Sequence, residues 1–192
     1  MKKIKLFLAS SNELKNEREK FEIEINRKNK TWIDKQVFLH LDIWEDLTAR
    51  MSATRSQDEY NIKVKEADLF VLLAYSKIGM YTAEEFETAF GAFRSTRKPF
   101  IFTYFKNIDS GTDSSLQLFK DKLKNLGHFY SPYSEFNDLW NQFNKELDRL
   151  LLSEFQEFKI TDDNTREQRS IKQGDKSVYI EKLNGNSNIN IQ

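Results

Sequence analysis

The stretch ADLFVLLAY, residues 67–75, is nearly continuous apolar. A strand wetted on one face alternates apolar and polar residues, so an unbroken run of this kind fits a strand buried on both faces, as in a parallel sheet. Parallel neighbours must be joined by crossovers, usually helices, and the rest of the chain supplies them. IKLFLA (4–9), VFLHLDI (37–43), FIFTYF (100–105, introduced by Pro99) and HFY (128–130) read as four further strands. Between and after them run helical patterns over 13–30 (Leu14, Phe21, Ile25), 57–66 (Tyr60, Val64), a stretch including 84–93, 115–126 and 134–158. The last carries Phe136, Trp140, Phe143, Leu147 and Leu151 at three- and four-residue steps.

This alternation predicts an α/β fold, a flavodoxin-like three-layer sandwich whose five parallel strands lie in the order 2-1-3-4-5. The predicted domain covers 1–158. Residues 159–192 form a polar, Asn-rich tail, read either as disordered or, through SVYIEKLNGNSNINI around Asn184-Gly185, as a β-hairpin. Sheets of this order bind ligands at the carboxyl ends of the strands, near the point where the strand order reverses. That rule gathers Ser10, Ser11, Trp44 and the turn after Tyr75 around one crevice.

Composition removes several function classes. Lys+Arg and Asp+Glu are both 30, a formal net charge of zero, which argues against a large phosphate-neutralising surface and hence a nucleic-acid partner. Cysteine is absent and His40 and His128 are the only imidazoles, so thiolate-zinc sites and Cys nucleophiles are excluded and no metal site is expected. GxGxxG and GxxxxGK[ST] are also absent, against a Rossmann dehydrogenase or a P-loop NTPase. The opening MKKIKLFLAS is too short and too interrupted for a signal peptide, and no stretch approaches the roughly 18 apolar residues of a membrane span. A soluble, cytoplasmic protein is the expectation.

Chemistry concentrates in LLAYSKIGMYTAEEFETAFGAF, residues 72–93, where Glu84, Glu85 and Glu87 crowd the start of a helix. At about 100° per residue, Phe86, Phe90 and Phe93 form the core stripe and Glu84 falls on the solvent side. Glu85 lies on a flank above Ala89 and Ala92, with space beside it. Two readings stay open: Thr82 and Glu85 form a capping box, or Glu85 faces a ligand. The helix N-terminus would favour its ionised form. Likewise Ser10 and Ser11 either cap the first helix or face the crevice, and Trp44 either packs or lines it. Ser76 ends a strand, and Tyr81 could staple back onto Phe86.

Taken together, Ser76, Tyr81, Glu85 and Ala89 resemble the corresponding segment of TIR domains and their bacterial relatives. There a strand ends in Ser, and an aromatic residue stands four positions before a Glu, with Ala four further on. Tyr81 takes the place where many members carry Trp. LFLASSNELKNEREKF resembles the family's first strand and helix, and WEDLTARMSATRSQ its long loop, so the resemblance spans roughly residues 3 to 152.

That resemblance implies an NAD+ glycohydrolase or cyclase with Glu85 catalytic, Ser10, Ser11, Trp44, Ser76 and Tyr81 binding substrate, NAD+ as substrate, and no cofactor. The leaving nicotinamide is cationic in NAD+ and departs neutral, so no general acid is needed; an ionised carboxylate suffices to stabilise an oxocarbenium-like ribose. The product would be ADP-ribose or a cyclic or conjugated ADP-ribose signal, in bacterial antiphage defence. A homo-oligomer and a downstream effector that senses the product are the implied partners. The resemblance also admits a non-catalytic adaptor, with residues 45–56 as an interface. Nucleoside deoxyribosyltransferases, which share the sheet and a similarly placed Glu, supply a third reading.

Overall fold

A computed structural model of the chain describes residues 1–46, 56–108 and 111–155. The element order is β1 (Lys2–Ser10), α1 (Lys15–Trp32), β2 (Val37–Asp42), α2 (Ser56–Glu66), β3 (Leu69–Ala74), α3 (Met80–Thr96), β4 (Phe100–Lys106), α4 (Ser114–Asn125), β5 (Ser131–Tyr133) and α5 (Phe136–Ser153). The five strands form one all-parallel sheet in the order β2-β1-β3-β4-β5. The expected fold class is the observed one.

Every residue of β3 is buried, as its unbroken apolar run requires. Strand alternation divides the core into two layers. On one face Phe7, Phe70, Leu72, Ala74 and Phe105 meet Tyr60 and Val64 of α2, Phe86 and Ala89 of α3, and Leu116, Phe119 and Leu123 of α4. Across this layer Phe7 stacks on Phe70 with centroids 5.9 Å apart. On the opposite face Phe102 and Tyr104 of β4 meet Phe143 of α5 at 5.7 and 6.4 Å. Phe143 in turn touches Phe21 of α1 at 5.2 Å and Trp140 at 6.2 Å. Helices therefore cover both faces, α2, α3 and α4 on one and α1 and α5 on the other.

Two expected boundaries are corrected. The fifth strand is Ser131–Tyr133, not 128–130. Gly127 ends α4 in the left-handed region, at φ 68°, and the His128 N–H returns to Leu123 O at 2.9 Å, so His128 belongs to the helix terminus. Phe129 is then 92% exposed, and pairing with β4 begins only at Ser131. Pro132 is tolerated there because β5 is an edge strand. The last helix closes at Ser153 rather than 158, with Glu154 N and Phe155 N both bonded to Leu150 O.

The chain divides into two compact units, Met1–Leu147 and Asp148–Gln192. The first holds the whole sheet. Of the second, the described residues are the end of α5 and the turn that closes it; the expected tail hairpin lies outside the described residues. No helix among the described residues is long and apolar enough to cross a membrane.

Phe143 is fully buried amid four aromatic rings, so Phe143→Ala should destabilise the fold by about 3–5 kcal/mol. Urea unfolding followed by tryptophan fluorescence measures this.

Candidate functional site at the carboxyl edge of the sheet

β1 lies between β2 and β3, and the crossovers leaving it and β2 run over opposite faces, so the strand order reverses beside β1. Ser10 is the last residue of β1, while Trp44 and Ser76 each follow the end of a strand by two positions. All three stand at this edge.

Two residues of the first turns after β1 tie them together. Arg18 of α1 is fully buried. Its Nη1 donates to Ser10 Oγ at 2.7 Å and to Ser11 O at 2.8 Å, and its Nε donates to Glu45 Oε1 at 2.8 Å. Its guanidinium carbon lies 5.4 Å from the centre of the Trp44 ring, a cation–π distance. Nη2 approaches the same Glu45 oxygen at 2.7 Å, an ion-pair contact without hydrogen-bond geometry. Glu13 forms the second tie. Its Oε1 accepts from Ser11 Oγ and from Ser76 N, each at 3.0 Å, and its Oε2 accepts from Ser76 Oγ at 2.6 Å. Burial pushes the Glu13 carboxyl up, but the hydrogen bonds from Ser76, Ser11 and the Lys77 backbone outweigh it and hold the group below its ordinary value.

Ser11 stands at the N-cap position of the Asn12–Leu14 turn, yet its hydroxyl makes no cap bond and serves Glu13 instead. The loop after β3 is further braced by α4: Asp113 N donates to Ser76 O at 3.1 Å, and Ile78 N to Ser115 Oγ at 3.2 Å. Deeper along the edge, the buried Glu17 pairs with Lys106 at the end of β4. The Tyr133 hydroxyl of β5 is buried without a partner among the described residues. Burial, and then the Glu17 and Glu13 carboxylates, hold this phenol well above its ordinary value.

Glu85 belongs to a different environment. The capping-box reading is overturned because α3 begins at Met80 with Gly79 as N-cap, which puts Thr82 and Glu85 inside the helix. At the second turn the helix dipole no longer governs the carboxyl, since its influence fades within the first turn. Burial governs instead: Glu85 is 7% exposed and its pKa is raised from 4.5 to about 7. The neighbouring Gln57 amide opposes the shift and Glu84 adds to it. Among the described residues Gln57 Nε2 is itself buried without a hydrogen bond of good geometry, so it attenuates the penalty without removing it. No cation among the described residues forms an ion pair with Glu85. The expectation of a carboxylate favoured in its ionised form is therefore corrected.

The buried face of α3 is Thr82, Glu85, Phe86 and Ala89. Phe90 and Phe93, expected in the core stripe, are only half-buried. The reason is that α2 packs on this side: Asn61 Nδ2 donates to Glu84 Oε1 at 2.8 Å, and Thr88 Oγ1 to Asn61 Oδ1 at 3.3 Å. Glu84 is thus half-buried and hydrogen-bonded, not simply solvated. Glu87 is exposed and pairs with Lys122.

The same helix α2 links Glu85 to the strand ends. Gln57 lies beside Glu85, and one turn further Tyr60 donates its hydroxyl to Trp44 O at 2.8 Å. Its ring meets Phe7 edge-on at 6.1 Å. Ser10, Ser11, Trp44 and Ser76 are thus joined through Arg18 and Glu13, and Glu85 reaches the group through Gln57 and Tyr60. Tyr81 is 55% exposed on the first turn of α3, outside this network among the described residues. Of the long loop expected at 45–56, residues 47–55 lie outside the described residues.

Sequence reasoning missed Glu13, Glu17, Arg18 and Gln57. A signal for Arg18 exists: Leu14, Arg18, Phe21 and Ile25 share one stripe at four- and three-residue steps, which places an arginine on the core face of α1. A charge there needs buried partners.

No protein-family model matches this sequence, and no curated protein matches it. Among solved structures, the crystal structure of a conserved protein from Enterococcus faecalis V583 is similar, with a TM-score of 0.41 and 15% identity, over 76% of this chain and 99% of that one.

With its folded pKa near 7 and its unfolded value at 4.5, Glu85 weakens the fold progressively as pH rises between them, because the native site binds the proton more tightly. Glu85→Gln removes that dependence. The stability of the variant relative to wild type should rise by about 3 kcal/mol between about pH 4.5 and about pH 8, read from urea unfolding at each pH.

Proposed function

We propose that this chain is a TIR-like domain that cleaves the nicotinamide–ribose bond of NAD+, with Glu85 as the catalytic carboxylate. The observation that carries the reading is the state of Glu85: buried beside Gln57, paired with no cation among the described residues, and joined through α2 to the group at the strand ends. A buried carboxyl with no cation to neutralise it is matched to a ligand that brings or develops positive charge.

NAD+ does both. In the ground state its positive charge sits on the nicotinamide ring; as the glycosidic bond breaks, the bond's electron pair leaves with nicotinamide and the charge moves to the ribose. A carboxylate held against the ribose gains attraction as this happens, so its contribution is larger in the transition state than in the ground state. Water then adds at the anomeric carbon and loses a proton, giving ADP-ribose, nicotinamide and H+. Attack by a nucleophile within the substrate gives a cyclic product instead. Ser10, Ser11, Ser76, Trp44 and Tyr81 are assigned to substrate binding, with Arg18 and Glu13 as the residues that position the serines and Trp44.

The ionised form of Glu85 does this work, so kcat/KM should climb as pH rises through about 7. The cationic nicotinamide ring, held beside the carboxyl, pulls its pKa down, so NAD+ binding at neutral pH should release protons. The cellular setting that accompanies this reading is cytoplasmic bacterial antiphage defence, with homo-oligomerisation completing the working state and a downstream effector reading the product.

The test is NAD+ turnover by the full chain at high concentration, with products identified by mass spectrometry. Wild type should release nicotinamide, and Glu85→Gln should lose activity by on the order of 100-fold or more. Wild type that turns over no NAD+ when assembled overturns the reading. Base exchange on deoxynucleosides in a parallel assay would assign deoxyribosyl transfer in its place, and activity retained by Glu85→Gln would remove Glu85 from the chemistry.

A further inference from the structure

At the amino-terminal end of β4, remote in register from the strand ends that carry Ser10 and Ser76, a cavity of about 200 Å³ opens between α3 and the sheet. Its walls are Phe86, Phe90 and Phe93 of α3, residues 100–102 of β4 (Phe, Ile, Phe), and His128. Five of its seven described lining residues are phenylalanines and none of the seven is charged, although Phe102 turns its ring to Phe143 on the other face of the sheet, so the aromatic wall is the one α3 supplies. Phe86 and Phe90 present parallel rings 6.0 Å apart.

The polar exception is His128. Its position is fixed by the close of α4, where the His128 N–H bonds to Leu123 O at 2.9 Å. Its Nε2 is buried with no hydrogen-bond partner among the described residues. Burial also holds the imidazole below its ordinary value, so the ring is neutral at neutral pH. A buried ring nitrogen without a partner costs the fold free energy that a ligand supplying the missing bond would return.

We infer that this cavity binds a small neutral aromatic alcohol of the phenol class, its ring among the phenylalanines and its hydroxyl on His128 Nε2. Size supports a single ring: an apolar cavity of about 150 Å³ in another protein holds benzene, leaving room here for a ring and one or two further atoms. The α3 wall favours an aromatic body, which gains edge-to-face contacts with the rings of Phe86, Phe90 and Phe93. A hydroxyl suits either neutral tautomer of His128, since it both donates and accepts. A carboxylate or phosphate is disfavoured because the described lining offers no cation to replace its hydration.

The proposal is independent of NAD+ cleavage, and its test does not use activity. The chain has two histidines, so its imidazole NMR spectrum holds two ring systems, with His40 as an internal reference. Titration with phenol should shift the His128 ring signals saturably and leave those of His40 in place. Phenol should bind about tenfold more tightly than toluene, the value of one buried hydrogen bond. In His128→Leu the phenol advantage should vanish while toluene still binds, which also reports an intact cavity. The absence of a saturable His128 shift up to low-millimolar phenol overturns the proposal, as does equal affinity of wild type for phenol and toluene. The wild-type comparison decides the matter by itself should the variant fail to fold.

Discussion

Burial of β3 on both faces is the constraint on which the rest of the structure depends. All six residues of Leu69–Ala74 are buried, with β1 and β4 hydrogen-bonded on either side. Backbone polar groups enclosed this way must be paired, and the two flanking parallel strands pair them. Parallel pairing then forces each strand to be followed by a crossover, and the crossovers place helices on both faces. One consequence is functional. Every chain segment leaving a strand emerges at the same edge, so Ser10, Trp44, Ser76, Lys106 and Tyr133 assemble there from distant parts of the sequence without any local motif requiring it.

Charges buried near that edge fall into two kinds. Arg18 and Glu17 are enclosed but answered, Arg18 by Ser10, Ser11 and Glu45, and Glu17 by Lys106. Glu13 is answered by Ser11 and Ser76, which is why its carboxyl stays below its ordinary value despite partial burial. Removing one partner from such a group leaves a stranded charge, so these contacts specify the geometry of the loops more than they add stability. Glu85 is the second kind, enclosed with only the Gln57 amide opposing the shift among the described residues, and raised to about 7. Its protonation changes at neutral pH for that reason, and the proposed chemistry draws on the ionised form.

Most of the fold could be read from residue pattern. The apolar run of β3, the alternating segments around it and the three- and four-residue steps of the helices each report the burial of a local stretch, and burial pattern is encoded locally. The fifth strand was misplaced because HFY has strand-like residues, while the Gly127 turn at φ 68° spends His128 on closing α4. At the candidate site, Glu85 was legible as a residue apart, but for an incomplete reason. The sequence places small alanines beneath it, and α2 takes the adjoining space, with Asn61 bonded to Glu84 and Thr88. Thr82 through Glu85 satisfy the spacing of a capping box, and only the earlier start of α3 at Met80 denies them that role.

The sequence by itself determined the parallel five-strand order, the positions of the first four strands, their intervening helices and the set of loops that share one edge, because hydrophobic periodicity and crossover geometry leave few other arrangements. Tertiary structure decided the rest. Which carboxyl is ionised and which is held near neutrality depends on the dielectric around it and on partners from other elements, as with Glu13 meeting Ser76 across 63 positions. Whether a polar atom such as His128 Nε2 is satisfied depends on what packs around it. Those quantities are sums over neighbours in space, and residues adjacent along the chain do not contain them.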